Sequence, residues 1–296
     1  MDKKLVLVDG SSYLYRAFYA LPPLTSPKGE PTGAIYGFIR MISTLIKELN
    51  PEYMAVVFDL PGKTFRHEKY KEYKATRKET PDELKVQIPK IKEIIKLWGI
   101  KILEIPGYEA DDIIATIAKK AVDKGFEVII VTPDKDMMQL IDEKVFILNP
   151  VTGEIFNREK VKEKYGIYPE QFVDYLSMIG DTVDNIIGVR GVGPKTAEKL
   201  LNQYGNLKNI LEHKDQLKPK LKEAFEEAEE RLKENIFLVS LEKNIDIDIQ
   251  PEDLKKEKAD LLKLRDIFKE LGFKSLLKDI EKKKVIEKKV EQRTLF

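Results

Sequence analysis

Leu5-Val6-Leu7-Val8-Asp9-Gly10 decides the architecture, because four apolar residues in a row run straight into a carboxylate and a glycine. A strand buried on both faces of a parallel sheet has this pattern. It returns twice, as Met54–Phe58 ahead of Asp59 and as Val128–Val131 ahead of Asp134. In an open α/β sheet, ligands bind beyond the carboxyl ends of the strands. Three strands leading to aspartate therefore place an acidic site on one edge of the sheet.

Two further clusters join them, Glu109-Ala-Asp111-Asp112 and Gly180-Asp181-Thr-Val-Asp184-Asn185. So many like charges repel unless cations lie between them. The chain has no cysteine, and His67 and His213 are its two histidines. An all-oxygen donor set suits Mg²⁺ or Mn²⁺ better than zinc. Several carboxylates suit two ions about 4 Å apart, which clamp the attacking and leaving oxygens of a phosphate displacement. Each cluster alone has a plainer reading, as a strand-end cap, a turn cap, or acids favoured in the first turn of a helix. The conjunction of all of them carries the metal reading.

With 296 residues, 42% of them hydrophobic, the chain is long enough for a sizeable core and one or two domains. No stretch approaches the ~20 apolar residues of a membrane span. The first apolar run is too short for a secretory signal. Absence of cysteine excludes disulfides, thiolate metal sites and cysteine nucleophiles. A soluble, cytoplasmic monomer is the expectation. The net charge of +1 hides a local concentration of cations, since Lys63–Lys78 holds seven Lys/Arg against two Glu. Basic flanks above an acidic floor suit a polyanion held over metal.

Short apolar runs alternate with amphipathic ones through residues 1–150, the rhythm of βαβ units. Strands are expected near 4–9, 53–59, 100–105, 127–132 and 145–148. Thr80-Pro81-Asp82-Glu83 reads as an N-cap, a first-turn proline and a capping-box acid, opening one helix to Trp98. A second helix spans about Glu109–Asp123. Beyond Arg158 no β-alternation is evident, and helices are expected over 194–204, 218–241, 259–271 and 275–290.

In Lys63–Lys78, helical spacing would put Arg66, Tyr70, Tyr73/Lys74 and Arg77 on one face. Such a helix could gate a single strand, with cations on phosphates and aromatics stacked on bases. A solvated surface helix is the plainer reading. Gly188-Val-Arg-Gly191-Val-Gly193-Pro-Lys195-Thr196 looks like a helix–hairpin–helix turn that offers backbone N–H groups to duplex phosphates, with Lys195 adding charge.

Taken together, these motifs resemble the amino-terminal 5′-nuclease domain of bacterial DNA polymerase I, within the wider flap endonuclease family. The resemblance runs from Lys4 to about Lys278. It is carried by Leu7-Val-Asp9-Gly10, Tyr15-Arg16, Gly29–Phe38, Val57-Phe-Asp59, Phe65-Arg-His-Glu68, Pro106–Asp112, Asp134-Lys-Asp136, Gly180-Asp181 with Asp184-Asn185, and Gly191–Ala197. It implies a PIN-like α/β fold with helices on both faces of a largely parallel sheet, followed by a helical duplex-binding region. The family's metal carboxylates fall on Asp9, Asp59, Glu109, Asp111, Asp112, Asp134, Asp136, Asp181 and Asp184. Its arch cations fall on Arg66, Lys74 and Arg77, and its stacking tyrosine on Tyr15.

The resulting expectation is a Mg²⁺- or Mn²⁺-dependent 5′–3′ exonuclease and flap endonuclease, acting in primer removal and repair. Its substrates would be 5′ flaps and nicked or gapped duplex DNA, with RNA–DNA hybrid as a further candidate. Glu109, Asp134 and Asp136 are expected closest to the ions, with Asp9, Asp59, Asp111 and Asp112 around them, and Asp181 and Asp184 on the second. Lys74 and Arg66 would neutralise the scissile phosphate. Duplex and strand contacts are expected from Tyr15, Arg16, Tyr70, Tyr73, Gly188, Gly191, Gly193, Lys195 and Thr196. The resemblance further implies a K⁺ ion after Asp184.

Three parts are expected: 1–172, with a basic helical arch near 63–85; 173–280, helical, with its hairpin-like turn in 180–204; and a charged tail, 281–296. The last residues, Gln292-Arg-Thr-Leu295-Phe296, resemble a sliding-clamp docking peptide, and a frayed terminus is the alternative. The chain stops without the proofreading and polymerase domains, so a free-standing nuclease is expected. Competing readings are a non-catalytic flap binder, a ribonuclease of the related PIN-type fold, and a phosphatase for small esters.

Overall fold

The computed structural model describes residues 3–281. The residues suggested for clamp docking, Gln292, Leu295 and Phe296, lie outside them. Six strands form the main sheet: β1 (Lys4–Asp9), β2 (Tyr53–Val57), β3 (Lys101–Leu103), β4 (Glu127–Val131), β5 (Val145–Leu148) and β6 (Ile155–Phe156). Their order is β3-β2-β1-β4-β5-β6, parallel except for the β5–β6 pair. Chain direction across the sheet reverses between β1 and β4, the switch point at which such folds open a crevice. Register pairs Val8 with Val131 and Asp9 with Val57, so the strand ends are level there.

Side chains alternate between two cores, which explains why the strands are apolar throughout. Leu5, Leu7, Ala55, Val57, Val128 and Ile130 face one core with the helix Ala110–Asp123. Val6, Val8, Met54, Val56, Ile129 and Val131 face the other, beneath the helices Gly10–Ala20, Gly33–Leu49 and Ile88–Leu97. The helix Leu261–Glu270 and a helical stretch over 274–281 return to this second core through Leu264, Phe268, Phe273 and Leu276. They pack on the back of the sheet, away from the helical region that precedes them in sequence.

Three local expectations are corrected. The helix expected over 80–98 is two, Asp82–Lys85 and Ile88–Leu97. Pro89 lacks an N–H and its ring would clash with the Lys85 carbonyl, so one helix cannot run through. Pro81 is the N-cap residue, and the Thr80 hydroxyl pairs instead with the Tyr15 phenol at 2.6 Å. The basic segment is helical only over Phe65–Lys69, then turns, and Lys74 sits at φ 57. A left-handed residue breaks the 3.6-residue repeat, so Arg66, Tyr70, Tyr73 and Arg77 share no helix face. Finally, β7 (Gly180–Asp181) and β8 (Ile186–Ile187) form a small antiparallel hairpin where no strand was expected.

The helix Phe172–Ile179 precedes this hairpin, and the helices Pro194–Tyr204 and Pro219–Val239 come after it. Asn235 ties the long one to the hairpin, donating to the Ser177 and Ile187 carbonyls at 2.9 Å each. Among the described residues no helix is long and apolar enough to cross a membrane.

Candidate active site

Asp9 ends β1 and caps the next helix, accepting from the Ser12 N–H at 2.9 Å. Its other oxygen accepts from the Thr132 hydroxyl beyond β4, also at 2.9 Å. Thr132 in turn accepts from the Asp134 N–H at 3.1 Å, bridging the two strands of the switch point. Asp59, beyond β2, accepts from the Ala110 N–H at 2.8 Å in the first turn of its helix. Its own N–H donates to the Ser11 hydroxyl at 2.9 Å. Sequence reasoning missed Ser11, Ser12 and Thr132, although each lies within three residues of an expected acid.

The carboxylates interact as a group. Burial pushes Asp9 up to about 6, against hydrogen bonds from Ser12 and Thr132, with Asp59 adding to the rise. Asp111 is raised well above the usual carboxylate range by burial and by Asp9, Asp134 and Asp59. Asp134 is raised by burial and by Asp184, although the Asp136 N–H donates to it at 2.8 Å. Burial and the Asp134 charge push Asp136 up to about 8. One oxygen of Asp136, Oδ1, is buried with no hydrogen-bond partner. A cleft of about 320 Å³ opens among Asp134, Asp136, Asp181 and Asp184, walled by Ser12 and Arg77.

The chain's own cations fill part of this site. Lys74 Nζ lies 2.8 Å from Glu109 Oε1 and 3.9 Å from Asp184 Oδ2. Burial opposes its charge, but Glu109 and Asp184 win and hold its pKa above the ordinary lysine value. Arg77 meets Asp184 at 2.6 Å, and Lys135 meets Asp181 at 2.9 Å. Burial alone would raise Asp181, but Lys135 and the Val183 and Asp184 N–H groups bring it below the usual range. Backbone contacts strap the basic segment to the acidic loop: the Lys74 N–H donates to the Asp184 carbonyl, and the Asn185 amide donates to that of Glu72. Among the described residues no three Asp, Glu or His side chains are grouped tightly enough to hold one metal ion.

Two expected residues stand apart. Asp112 is fully buried and gives both oxygens to Arg66, at 2.6 and 2.7 Å, while also accepting from the Glu242 N–H at 2.9 Å. Arg66 is itself only 1% exposed and further donates to the carbonyls of Leu238 and Ser240. Burial works against its charge, and Asp112 and Glu109 more than compensate, raising its pKa. Asp112 is thus an arginine partner rather than a free metal ligand, and Arg66 presents nothing to a phosphate.

Tyr73 is buried too, its phenol donating to Glu109 at 3.1 Å and to Asp184 at 3.4 Å, so it cannot stack on a base. Tyr70 is half-buried against the core. Tyr15 is exposed and Arg16 half-buried, nearly two turns along the helix from Asp9. In the glycine turn, a Cβ on Gly188 would meet backbone atoms of Met178 and Ile179 at 2.5 Å. Gly188 therefore serves close packing. Gly191, at φ 78, and Gly193, the N-cap residue of the helix Pro194–Tyr204, face open space. Lys195 projects from that helix start, 91% exposed, and Thr196 is half-buried behind it.

The chain and its fold are similar to known proteins. The family profile described as "5′-3′ exonuclease, N-terminal resolvase-like domain" matches residues 4–166, and "5′-3′ exonuclease, C-terminal SAM fold" matches 167–261. A 5′-3′ exonuclease of Aquifex aeolicus (strain VF5) is 49% identical over 294 residues, covering 99% of this chain and 100% of the relative. The DNA polymerase I of Caldicellulosiruptor bescii is 38% identical over 98% of this chain, which spans 35% of that longer protein. A solved structure described as "Divalent metal ions (zinc) bound to T5 5′-exonuclease" superposes with a TM-score of 0.68 and 26% identity, covering 81% of this chain and 90% of that one. The catalytic core of Rad2 in complex with DNA substrate, 20% identical with a TM-score of 0.62 over 92% and 88% of the two chains, shares the fold. The chain belongs to the 5′-3′ exonuclease family, and it is a nuclease.

Proposed function

We propose that this nuclease hydrolyses phosphodiester bonds at 5′ ends and flaps beside duplex DNA, with two Mg²⁺ or Mn²⁺ ions at the carboxyl edge of its sheet. The observation that carries this reading is the set of carboxyls raised by burial and by one another's charge, with Asp136 Oδ1 left unpartnered. Buried anions of this kind are expensive unless a cation compensates them. The donors are all oxygen, which fits a hard divalent ion. A solved T5 5′-exonuclease described with bound divalent metal ions (zinc) supports a divalent ion, though not which one.

Asp9, Asp59, Glu109, Asp111, Asp134 and Asp136 would surround one ion, and Asp181 and Asp184 would hold the other. Bound there, the ions would supply Lewis acidity at the scissile phosphate. The remaining roles belong to the chain. Lys74 and Arg77, both paired with acids of the cleft, are positioned to turn toward a phosphate and stabilise charge that builds in the transition state. Tyr15 offers an exposed ring to an unpaired base beside the site. Gly191, Gly193, Lys195 and Thr196 present an open helix start to duplex phosphates. The K⁺ ion near this turn, cleavage of RNA in hybrids, clamp docking through Leu295-Phe296, and roles in primer removal and repair belong to the same proposal.

Incubation with 5′-labelled flap DNA, nicked duplex, RNA–DNA hybrid and p-nitrophenyl phosphate, each with Mg²⁺, Mn²⁺ or chelator, tests it. Cleavage confined to nucleic acid with a 5′ end beside duplex, and abolished by chelator, is expected. Metal-independent cleavage, or hydrolysis of the small ester alone, would refute the reading.

A further inference from the structure

We propose that Lys135 is a built-in counter-ion at the second ion position and that it holds the affinity of that position for divalent cations low. The inference rests on the two-ion reading above. Lys135 lies between Asp134 and Asp136, at the start of the short 3₁₀ helix Asp136–Leu140. Its ammonium is 2.9 Å from Asp181 Oδ2. The opposite oxygen, Oδ1, accepts from the Val183 N–H at 2.8 Å and the Asp184 N–H at 3.3 Å. Both oxygens of Asp181 are therefore occupied by donors of the chain itself. On the same cleft, Asp136 keeps a buried oxygen without a partner.

This lysine is freer to leave than Lys74, and Arg77, which is also exposed, pairs with Asp184 and not with Asp181. The Lys135 side chain is 40% exposed, whereas that of Lys74 is 15% exposed and held between Glu109 and Asp184. It lines both the acidic cleft and an adjoining hollow of about 580 Å³ bounded by Ile179–Gly188, into which the stem has room to swing. An ion that takes Asp181 must displace the ammonium or accept its repulsion. A single positive charge a few ångströms from a divalent ion in a half-solvated cleft weakens binding by roughly tenfold or more. While no ion is bound, the same contact neutralises Asp181 and steadies the loop that carries Asp184.

The test is Mn²⁺ binding to the full chain, counted by electron paramagnetic resonance of the free ion, for the wild type, Lys135→Met, Lys135→Gln, Lys135→Arg and Asp181→Asn. Two ions are expected on the wild type. The weaker one should tighten by about tenfold in Lys135→Met and Lys135→Gln, stay weak in Lys135→Arg, and be lost in Asp181→Asn. Two ions bound with the weaker affinity unmoved by both neutral variants would overturn the role of Lys135 and leave the two-ion reading standing. Fewer than two ions on the wild type would overturn that reading as well.

Discussion

Arg66 and Asp112 face each other through two bonds of 2.6 and 2.7 Å, both side chains essentially without solvent. The pair joins the short helix of the basic segment to the helix Ala110–Asp123. Through the Leu238 and Ser240 carbonyls, it also reaches the end of the long helix Pro219–Val239. Three parts of the chain distant in sequence thus meet at one guanidinium.

Breaking one side of this pair leaves a buried charge alone. Arg66→Met should destabilise the fold by about 3–5 kcal/mol, and Asp112→Leu by a similar amount. The double variant should lose markedly less than the sum of the two. Urea unfolding of all three measures this, and additivity would mean that the two groups do not act as a pair.

Asp136 predicts the opposite sign. Its carboxyl is pushed up to about 8 by burial and by Asp134, and Asp9 to about 6. A carboxyl raised above its unfolded value near 3.8 holds its proton better in the folded state. Its favourable contribution is complete below that value and is lost progressively as pH rises from there, through about 6 for Asp9 and about 8 for Asp136. In chelator the melting temperature should therefore fall across this window, and saturating Mg²⁺ should restore it. Asp136→Asn should stabilise the metal-free protein by about 1–3 kcal/mol and blunt the rescue by Mg²⁺. Thermal melts from pH 5 to 9 decide the matter.

Lys74 is held between Glu109 and Asp184 at the acidic cleft. Lys74→Ala should slow the single-turnover rate by about 10²–10³-fold while flap binding persists. Because the residue sits at φ 57, Lys74→Gly relieves the backbone while removing the whole side chain, its ammonium included. An equal loss of rate in both variants assigns the defect to charge. A rate restored by glycine would assign it to strain.

The glycine turn divides into packing and contact. Gly188→Ala should cost about 1–3 kcal/mol, because its Cβ would press on rigid backbone 2.5 Å away. Lys195→Ala should leave stability unchanged, weaken duplex binding and lower the slope of log K against log salt by about one ion. Filter binding across a salt series, with melting curves alongside, separates the two.

The sequence by itself determined the five parallel strands of the main sheet and the acids at the strand ends, but not the short antiparallel β6 at its edge. An apolar run buried on both faces has one plausible setting, and the carboxyl edge is where such strands deliver their next residue. Only the tertiary structure decided which acids are spent on internal cations. Arg66 and Tyr73 lie in a segment that reads as a basic helical gate open to a single strand, yet Asp112 and Glu109, some 40 positions away, draw them inside. The left-handed turn at Lys74 carries no sequence mark, since lysine rarely adopts it without tertiary contacts. Partners remote along the chain set these outcomes, and periodicity senses only neighbours.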